Sequence, residues 1–565
     1  MRGMVINMSS YKKKAMTLLI IDAYVDEPSI LGVPPYISPY PRYVYGAAVD
    51  AGEKVEYRTI DHIRRHEVHL ADYDLFVVIG GVYVPGKYLR TLPGSLRELE
   101  ILVEKAMHHG DVFMMGPARE HFRRLRLPGV HTPLLDGDAA LYDHITAGEW
   151  KSRRRTMDEW KKWSVLGAKA VKDHPDHPQP LICEVETYRG CVRYFTGGCS
   201  FCSEPAHGKP VFREPSQVAA EVEALYENGC VNFRLGGQTC IFSYMADGVG
   251  KTETPTPSPS DIETLFRGIR RDAPGLRVLH VDNANPAVIA AHPRESEEIA
   301  RILVEYCTSG NVVSFGLESA DPVVARENNL NATPQQTLEA VRLINMVGGE
   351  RGENGMPELL PGINFLSGLR GERPETFDLN MEFLRKIMKE GLLLRRINIR
   401  QVVWHDKTNT PGMGQKRKKH REHRRLIEFK EKVRREIDHP MLKRLVPAGT
   451  VLRDVYMEKN DGGTTFGRQI GSYPLLVGIP YPVEVERFVD VTITDHGMRS
   501  VTGIICPFNI NTAPIKALQA IPGIGEKRAV KIAGKRPLGG VEDLVGVLGD
   551  ENLAREIVGK YNVVF

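Results

Sequence analysis

Two blocks of the chain alternate short apolar runs with longer stretches of helical period, and this alternation constrains the fold more than any other feature. In the first block TLLIID (17–22), KVEYRTI (54–60), DLFVVIGG (74–81) and DVFMMGP (111–117) read as strands, with helical stretches near 42–51 and 95–108. That order predicts an α/β unit with a doubly wound parallel sheet over 17–135. In the second block, 181–415, the strand candidates are ICEVET, VNFRLGG (231–237), VLHVDN (278–283), VVSFGLE (312–318), GINFLSG (362–368) and RINIRQVV (396–403). Helices are expected between them at 216–228, 261–272, 293–307, 334–347 and 375–390, a spacing that suits a partial (β/α) barrel. Both architectures gather ligands at the C-terminal ends of strands, so the residues that close each strand carry the chemistry.

The first strand of the second block runs into EVETYRGCVRYFTGGCSFCSEP (184–205), which sets Cys191, Cys199 and Cys202 in one loop of a chain with 8 cysteines. Three thiolates can hold three irons of a [4Fe–4S] cube and leave its fourth iron open to a small molecule. Gly197 and Gly198 give the loop freedom to turn back. A lone C-x2-C is also a zinc or buried-thiol pattern. The other cysteines, at 183, 230, 240, 307 and 506, offer no second pair at zinc-ribbon spacing, and Cys183 could at most be a fourth ligand. So few cysteines in 565 residues make no disulfide framework, and an oxygen-sensitive cluster suits a reducing compartment. No apolar run reaches membrane-spanning length and no cleavable leader is recognisable, which predicts a cytoplasmic protein with no membrane partner. The formal charge of +4 does not announce nucleic acid, so that partner has to be argued from local patches.

The words ETYRGC and CSFC resemble the cluster loop of radical S-adenosylmethionine (SAM) enzymes, in their methylthiotransferase, elongator-type and cobalamin-linked branches. The usual C-x3-C-x2-C is C-x7-C-x2-C here, as though VRYFTGG had lengthened the first interval. The resemblance implies that Phe201 packs on the adenine and that Gly236-Gly237-Gln238, close to the family's glycine-glycine-glutamate word, meets the SAM amino group with backbone carbonyls. It further implies that Asp282 and Asn283, and Glu318 and Ser319 in a G-x-E-S word, bond the ribose or the methionyl end. Asn364 and Asn398 are further candidates, and Arg400 is a candidate for the SAM carboxylate. Asp282, Asn283, Glu318 and Ser319 are each equally readable as a strand-end polar cap. The implied chemistry is one-electron reduction of the sulfonium, fed by a ferredoxin- or flavodoxin-type donor, to give a 5'-deoxyadenosyl radical.

The first block resembles, more weakly, the cobalamin-binding domain that precedes the cluster domain in many such enzymes. It lacks the D-x-H-x-x-G stretch that supplies a histidine to cobalt, which weighs against bound cobalamin, and it lacks any cysteine for a second cluster. Asp22 and Gly80-Gly81 end two of its strands and could mark a site or only a turn. Residues 1–16 read as a tail. Residues 136–180, with KSRRRTMDEWKKW and DHPDHPQP, read as a basic linker, either a solvated connector or a positive rim for a polyanion.

Past residue 415, KRKKHREHRRLIEFKEKVRREI (416–437) predicts a basic helix within 416–445. Short glycine-broken strands over 446–510 suit a small β-barrel and resemble the RNA-binding TRAM domain, which makes Arg468, Tyr473 and Arg499 candidate contacts for phosphate and bases. Residues 511–565 resemble a helix–hairpin–helix. Gly523 and Gly525 would turn the chain and aim N–H groups at a phosphate, with Lys527 and Arg528 beside them. Together these features resemble archaeal radical SAM proteins, and imply an enzyme that modifies a nucleic-acid base, tRNA first among substrates, by methyl or methylthio transfer. A cobalamin-using methylase of a non-nucleic substrate and a nucleic-acid-binding iron–sulfur protein without turnover are the alternatives.

Overall fold

The computed structural model describes residues 16–27, 30–81, 88–402 and 419–565. The tail up to 15, Val403 at the end of the last strand candidate, and the first basic residues of 416–437 lie outside the described residues. The chain forms two compact units, Met1–Leu181 with Glu227–Gly229, and Ile182–Tyr226 with Cys230–Phe565.

In the first unit, β1 (Thr17–Asp22), β2 (Lys54–Thr59), β3 (Leu75–Ile79), β4 (Asp111–Met115) and β5 (Val130–His131) form one sheet in the order β2-β1-β3-β4-β5, every pair parallel. This is the expected doubly wound sheet, in the order common to flavodoxin-like folds. Leu19, Ile21, Phe76, Val78, Val112 and Met114 supply its core, met by Leu99 and Val103 of α2 (Leu96–Ala106). That helix starts where it does because Ser95 and Glu98 cap each other's backbone N–H groups. Asp22 is buried and occupied, accepting from Tyr57 Oη at 2.9 Å and from the Tyr24 N–H at 2.9 Å.

The linker expected over 136–180 is instead part of this unit. Residues 137–147 and 157–166 form α3 (Gly137–Ala147) and α4 (Met157–Leu166), and α4 packs on α1 (Pro39–Asp50). Trp163 is fully buried and donates to Asp50 at 2.9 Å. Its backbone lies so close to α1 that a Cβ on Gly46 would come within 2.0 Å of the Trp163 carbonyl. The basic residues are matched by acids: Arg153 is held between Asp143 and Glu159, and Lys162 meets Asp50. With Trp160 and Trp163 turned inward and Arg153 paired, this segment is folded onto the unit and is not an extended connector.

The second unit opens with six parallel strands: β6 (Ile182–Glu186), β7 (Asn232–Gly236), β8 (Val278–Val281), β9 (Asn311–Glu318), β10 (Leu359–Ser367) and β11 (Ile397–Gln401). They follow one another around a partial barrel. β7 pairs with β6 and β8; past Asp282 the β8 chain crosses over, and Asn283 and Ala284 pair with β9, which continues to β10 and β11. Between them lie α5 (Pro215–Glu227), α6 (Pro259–Asp272), α7 (Pro293–Tyr306), α8 (Pro334–Gly348) and α9 (Pro374–Lys389). Each begins on proline, whose missing N–H costs nothing in a first turn and whose φ already suits a helix.

Of the basic helix, α10 (Lys419–Val433) runs through a π turn at Arg434–Asp438 into α11 (His439–Leu445), burying Leu426, Phe429 and Val433. A closed barrel follows, β12 (Val451–Asp461), β13 (Thr464–Gln469), β14 (Leu476–Ile479), β15 (Arg487–His496) and β16 (Ser500–Cys506), in the order β12-β13-β14-β16-β15. Four short helices close the chain: α12 (Ile515–Gln519), α13 (Glu526–Gly534), α14 (Val541–Leu548) and α15 (Glu551–Lys560). The divisions expected at 446–510 and 511–565 share one apolar core. Val455, Val477 and Val491 of the barrel pack in the same cluster as Leu518, Ile532 and Ile557.

Candidate cluster and cofactor site

The cysteine loop leaves β6 and is pinned at its neck by a two-residue antiparallel ladder, Tyr188 opposite Phe212 and Arg189 opposite Val211. Inside the neck the lengthened interval folds back on itself. The Tyr194 N–H donates to the Cys191 carbonyl at 3.0 Å, the Thr196 N–H to Arg193 at 3.1 Å, and Gly197 and Gly198 both take positive φ. Asn328 and Asn329 hold it from outside: Asn329 Nδ2 donates to the Gly198 carbonyl at 2.8 Å, and Ser200 bonds Asn328 through its N–H and its hydroxyl. The extra residues thus form an ordered turn that leaves the three thiols within electrostatic reach of one another.

Burial raises the Cys191 thiol, pushes Cys199 up to about 12 and lifts Cys202 well above the usual thiol range, and each of the three thiols lies within electrostatic reach of another. Buried thiols of this kind stay protonated unless a metal claims them. Among the described residues no three His, Cys, Asp or Glu side chains converge on a single point. A cube asks for less, since each thiolate binds a different iron. The donor set therefore fits a cluster: three sulfurs on a clamped loop at a strand's C-terminal end. Cys183 lies buried in β6; the further thiol within electrostatic reach of Cys191 is Cys240, whose Sγ accepts the Asn285 N–H at 3.2 Å. Phe201 sits half-buried in the turn closed by the Cys202 N–H and the Cys199 carbonyl, 3.1 Å apart.

Beside the loop, β7 ends in Gly236 and Gly237. A Cβ on Gly236 would lie 1.6 Å from Glu184 Oε1, and one on Gly237, which has φ +72°, 2.6 Å from Glu186 Cγ. Acidic side chains of β6 fill the space under the two glycines, so no other residue type fits there. Gln238 is buried: its Nε2 donates to the Leu235 carbonyl at 2.9 Å, Thr187 donates to its Oε1 at 3.3 Å, and Asn283 Nδ2 donates to its backbone carbonyl at 3.2 Å. The Gln238 side chain and carbonyl thus hold the turn, and Asn283 serves the turn as well.

Asp282, expected to face the cofactor, is instead fully buried in an ionic network. Arg234 bridges Glu184 and Asp282, and Tyr473 Oη donates to Asp282 Oδ1 at 2.6 Å. A polar residue closing a strand looks the same in sequence whether it faces a ligand or an arginine on the next strand. Ser319 is likewise turned inward, accepting the Asp321 N–H at 3.1 Å. Glu318 differs. Burial pushes its carboxyl up to about 8 against the pull of Arg400, and it also lies within electrostatic reach of Cys199. Its φ of +63° is a left-handed backbone that a side chain of this size adopts only under constraint. Arg400 stands beside Asn398, whose side-chain oxygen, once that amide is turned, accepts from Arg400 Nε at 2.7 Å and from Nη2 at 3.3 Å. Cys199, Glu318 and Arg400 therefore form one neighbourhood next to the cysteine loop.

Sequence reasoning passed over Arg193. It is 3 % exposed, and its Nη1 donates to Cys199 Sγ at 3.3 Å and to the Asn329 carbonyl at 2.9 Å. Nothing in a motif marks it. The lengthened interval itself was the available signal.

The C-terminal candidates divide. Arg468 is taken up in a two-bond pair with Glu458, at 2.6 and 2.9 Å, and Tyr473 by Asp282, so neither is free to contact phosphate or bases as expected. Arg499 is half exposed, 3.8 Å from Asp438. Gly523 takes φ +87°, and Arg528 Nη1 donates to its carbonyl at 2.8 Å. Gly525 caps α13 with open space around it, since an added Cβ would meet nothing within 4 Å, and Lys527 is exposed on the first turn.

The family model for the radical SAM superfamily matches residues 185–384, which holds the cysteine loop, both glycines and β9. An uncharacterised protein of Methanocaldococcus jannaschii is 47% identical over 86% of this chain and 92% of its own length. Another, from Archaeoglobus fulgidus, is 40% identical over 96% of this chain and 100% of its own. Among solved structures, the radical S-adenosylmethionine methyltransferase TsrM from Kitasatospora setae is 15% identical, covering 68% of this chain and 73% of that chain at a TM-score of 0.43.

Proposed function

The chain belongs to the radical SAM superfamily, and we propose that it is an enzyme that modifies a base of an RNA, tRNA in particular, by methyl or methylthio transfer. Membership implies a [4Fe–4S] cluster and SAM, which when bound supply one-electron cleavage of the sulfonium and a carbon-centred radical. Cys191, Cys199 and Cys202 would hold the cluster. The rest is the chain's own work. Gly236 and Gly237 would present backbone at this strand end, where Glu184 and Glu186 leave no room for a Cβ, and Glu318 and Arg400 set a carboxyl and a guanidinium beside the same loop. Clamping by Asn328 and Asn329 keeps the loop in register and its thiols out of water.

The observation that carries this reading is a clamped loop bearing three thiols within electrostatic reach of one another, leaving β6 beside the strand that ends in Gly236 and Gly237. The nucleic-acid half of the reading rests on the chain's far end, where Gly525, Lys527 and Arg499 face solvent. An open helix N-terminus with a lysine beside it suits a phosphate.

Mass spectrometry of tRNA nucleosides from a strain lacking this protein tests the reading. One modified nucleoside is expected to vanish and its unmodified precursor to accumulate; an unchanged nucleoside profile would defeat the RNA assignment. Replacement of Lys527 by Ala is expected to weaken RNA binding and flatten its dependence on salt, with SAM cleavage in the absence of RNA unchanged.

A further inference from the structure

The interval between Cys191 and Cys199 carries a residue whose hydrogen bonds go to the sulfurs themselves. The Arg193 N–H lies 3.5 Å from Cys191 Sγ, and Arg193 Nη1 lies 3.3 Å from Cys199 Sγ. One residue thus donates to two of the three thiols, once from its backbone and once from its guanidinium. The side chain is fixed: Nη1 also reaches the Asn329 carbonyl at 2.9 Å, Nη2 reaches Asn329 Oδ1 at 3.1 Å, and Nη2 stands 3.2 Å from Glu253 Oε1. Asn329 holds that position on a left-handed backbone with φ +49°. Glu253 is the acid placed against the guanidinium, and it is partly exposed where Arg193 is 3 % exposed.

We propose that Arg193 is a positioning residue that raises the reduction potential of the cluster held by Cys191, Cys199 and Cys202. The inference rests on the reading of these cysteines as cluster ligands. Reduction adds one electron, drawn from a low-potential donor, and makes the cluster and its sulfurs more negative. N–H donors and a fixed positive charge at those sulfurs stabilise the reduced form more than the oxidised one, so the potential rises. Burial keeps the charge from being screened by water. Arginine suits the task because it stays charged and offers several donors in a fixed fork, so one side chain serves a sulfur, a carbonyl and a carboxylate together. The lengthened interval then has a physical purpose. Four more residues than the family's usual three let the chain turn through Tyr194–Thr196 and lay the guanidinium of Arg193 back against Cys199.

The test is a redox titration of the anaerobically reconstituted full-length protein, followed by electron paramagnetic resonance, with iron and sulfide counted in each variant. Arg193→Met is expected to keep its iron and to lower the equilibrium constant for reduction at least tenfold, a downward shift of about 59 mV for a one-electron couple. Arg193→Lys, which retains the charge, is expected to fall between the two. Glu253→Gln leaves Arg193 in place and removes its counter-charge, so its midpoint is expected to rise; this variant decides the matter if Arg193→Met fails to take up iron. A full complement of iron with an unmoved midpoint in Arg193→Met, or an unmoved midpoint in Glu253→Gln, overturns the proposal. Wild-type protein that takes up no iron at these thiols defeats the cluster reading instead, and the iron count tells the two failures apart.

Discussion

At the scale of single residues the site is defined by what sits under and around it. Gly236 and Gly237 are glycines because Glu184 and Glu186 fill the volume a Cβ would need. Gly236→Ala is therefore expected to leave the iron content intact and to weaken SAM binding tenfold or more, about 1.4 kcal/mol or greater, measured by isothermal titration. Unaltered affinity would show that this strand end does not face SAM. Among the thiols, Cys240 is engaged by the Asn285 N–H. Cys240→Ala is expected to bind iron like the wild type, while Cys199→Ala loses it; iron loss in Cys240→Ala would make that thiol a fourth ligand and close the open corner. The cysteines and the glycine pair were legible because their spacing is itself the chemistry. Asp282 was misread because burial opposite Arg234 leaves no mark in a sequence, and Arg193 was missed because its role depends on how a turn folds back rather than on any word.

Among elements, the seam between the closed barrel and β8 concentrates the energetics. The β13–β14 connection lays Gly471 against the ring of His280, where a Cβ would come within 2.7 Å. The Ser472 N–H donates to His280 Nδ1 at 3.0 Å, and Tyr473 Oη donates to Asp282. Tyr473→Phe leaves a buried carboxylate oxygen without its donor and is expected to cost about 1–3 kcal/mol, seen as lost hydrogen-exchange protection at 471–473. Wild-type protection would mean that Arg234 alone satisfies Asp282. Burial lowers the pKa of His280 from 6.5 to about 4. A histidine held neutral in this way stabilises the fold fully above pH 6.5, and that stabilisation is lost as pH falls from 6.5 toward 4. The raised carboxyl of Glu318 acts in the opposite sense in wild type and variant alike, so the His280 contribution is read as a difference: in chemical denaturation from pH 7.5 to 5, His280→Gln is expected to lose less stability, or gain more, than wild type. An identical slope in the variant would assign the acid sensitivity elsewhere. The partial barrel's strands and helices were legible to within three residues, since apolar period is a local signal, whereas this seam joins positions nearly two hundred residues apart.

At the scale of the whole molecule, the order of architectures follows the sequence: a doubly wound sheet, a partial parallel barrel, a closed barrel and short terminal helices. What composition could not reveal is how they merge. Residues 136–180 looked like a linker because they are basic and rich in proline, yet two inward tryptophans and a set of acidic partners make them structure. The closed barrel and the final helices looked like two modules because glycines and turn residues separate them, yet their apolar faces form a single core. The shared core gives the terminal helices a rigid mount on the closed barrel. The radical chemistry depends on the cluster loop. Its most direct test is anaerobic purification and reconstitution of the full chain, followed by iron and sulfide analysis, electron paramagnetic resonance with and without SAM, and a search for 5'-deoxyadenosine after reduction with dithionite. A [4Fe–4S] cluster is expected whose signal changes when SAM is added and whose reduction releases 5'-deoxyadenosine. Zinc at these thiols, or an intact cluster that is blind to SAM, would contradict it.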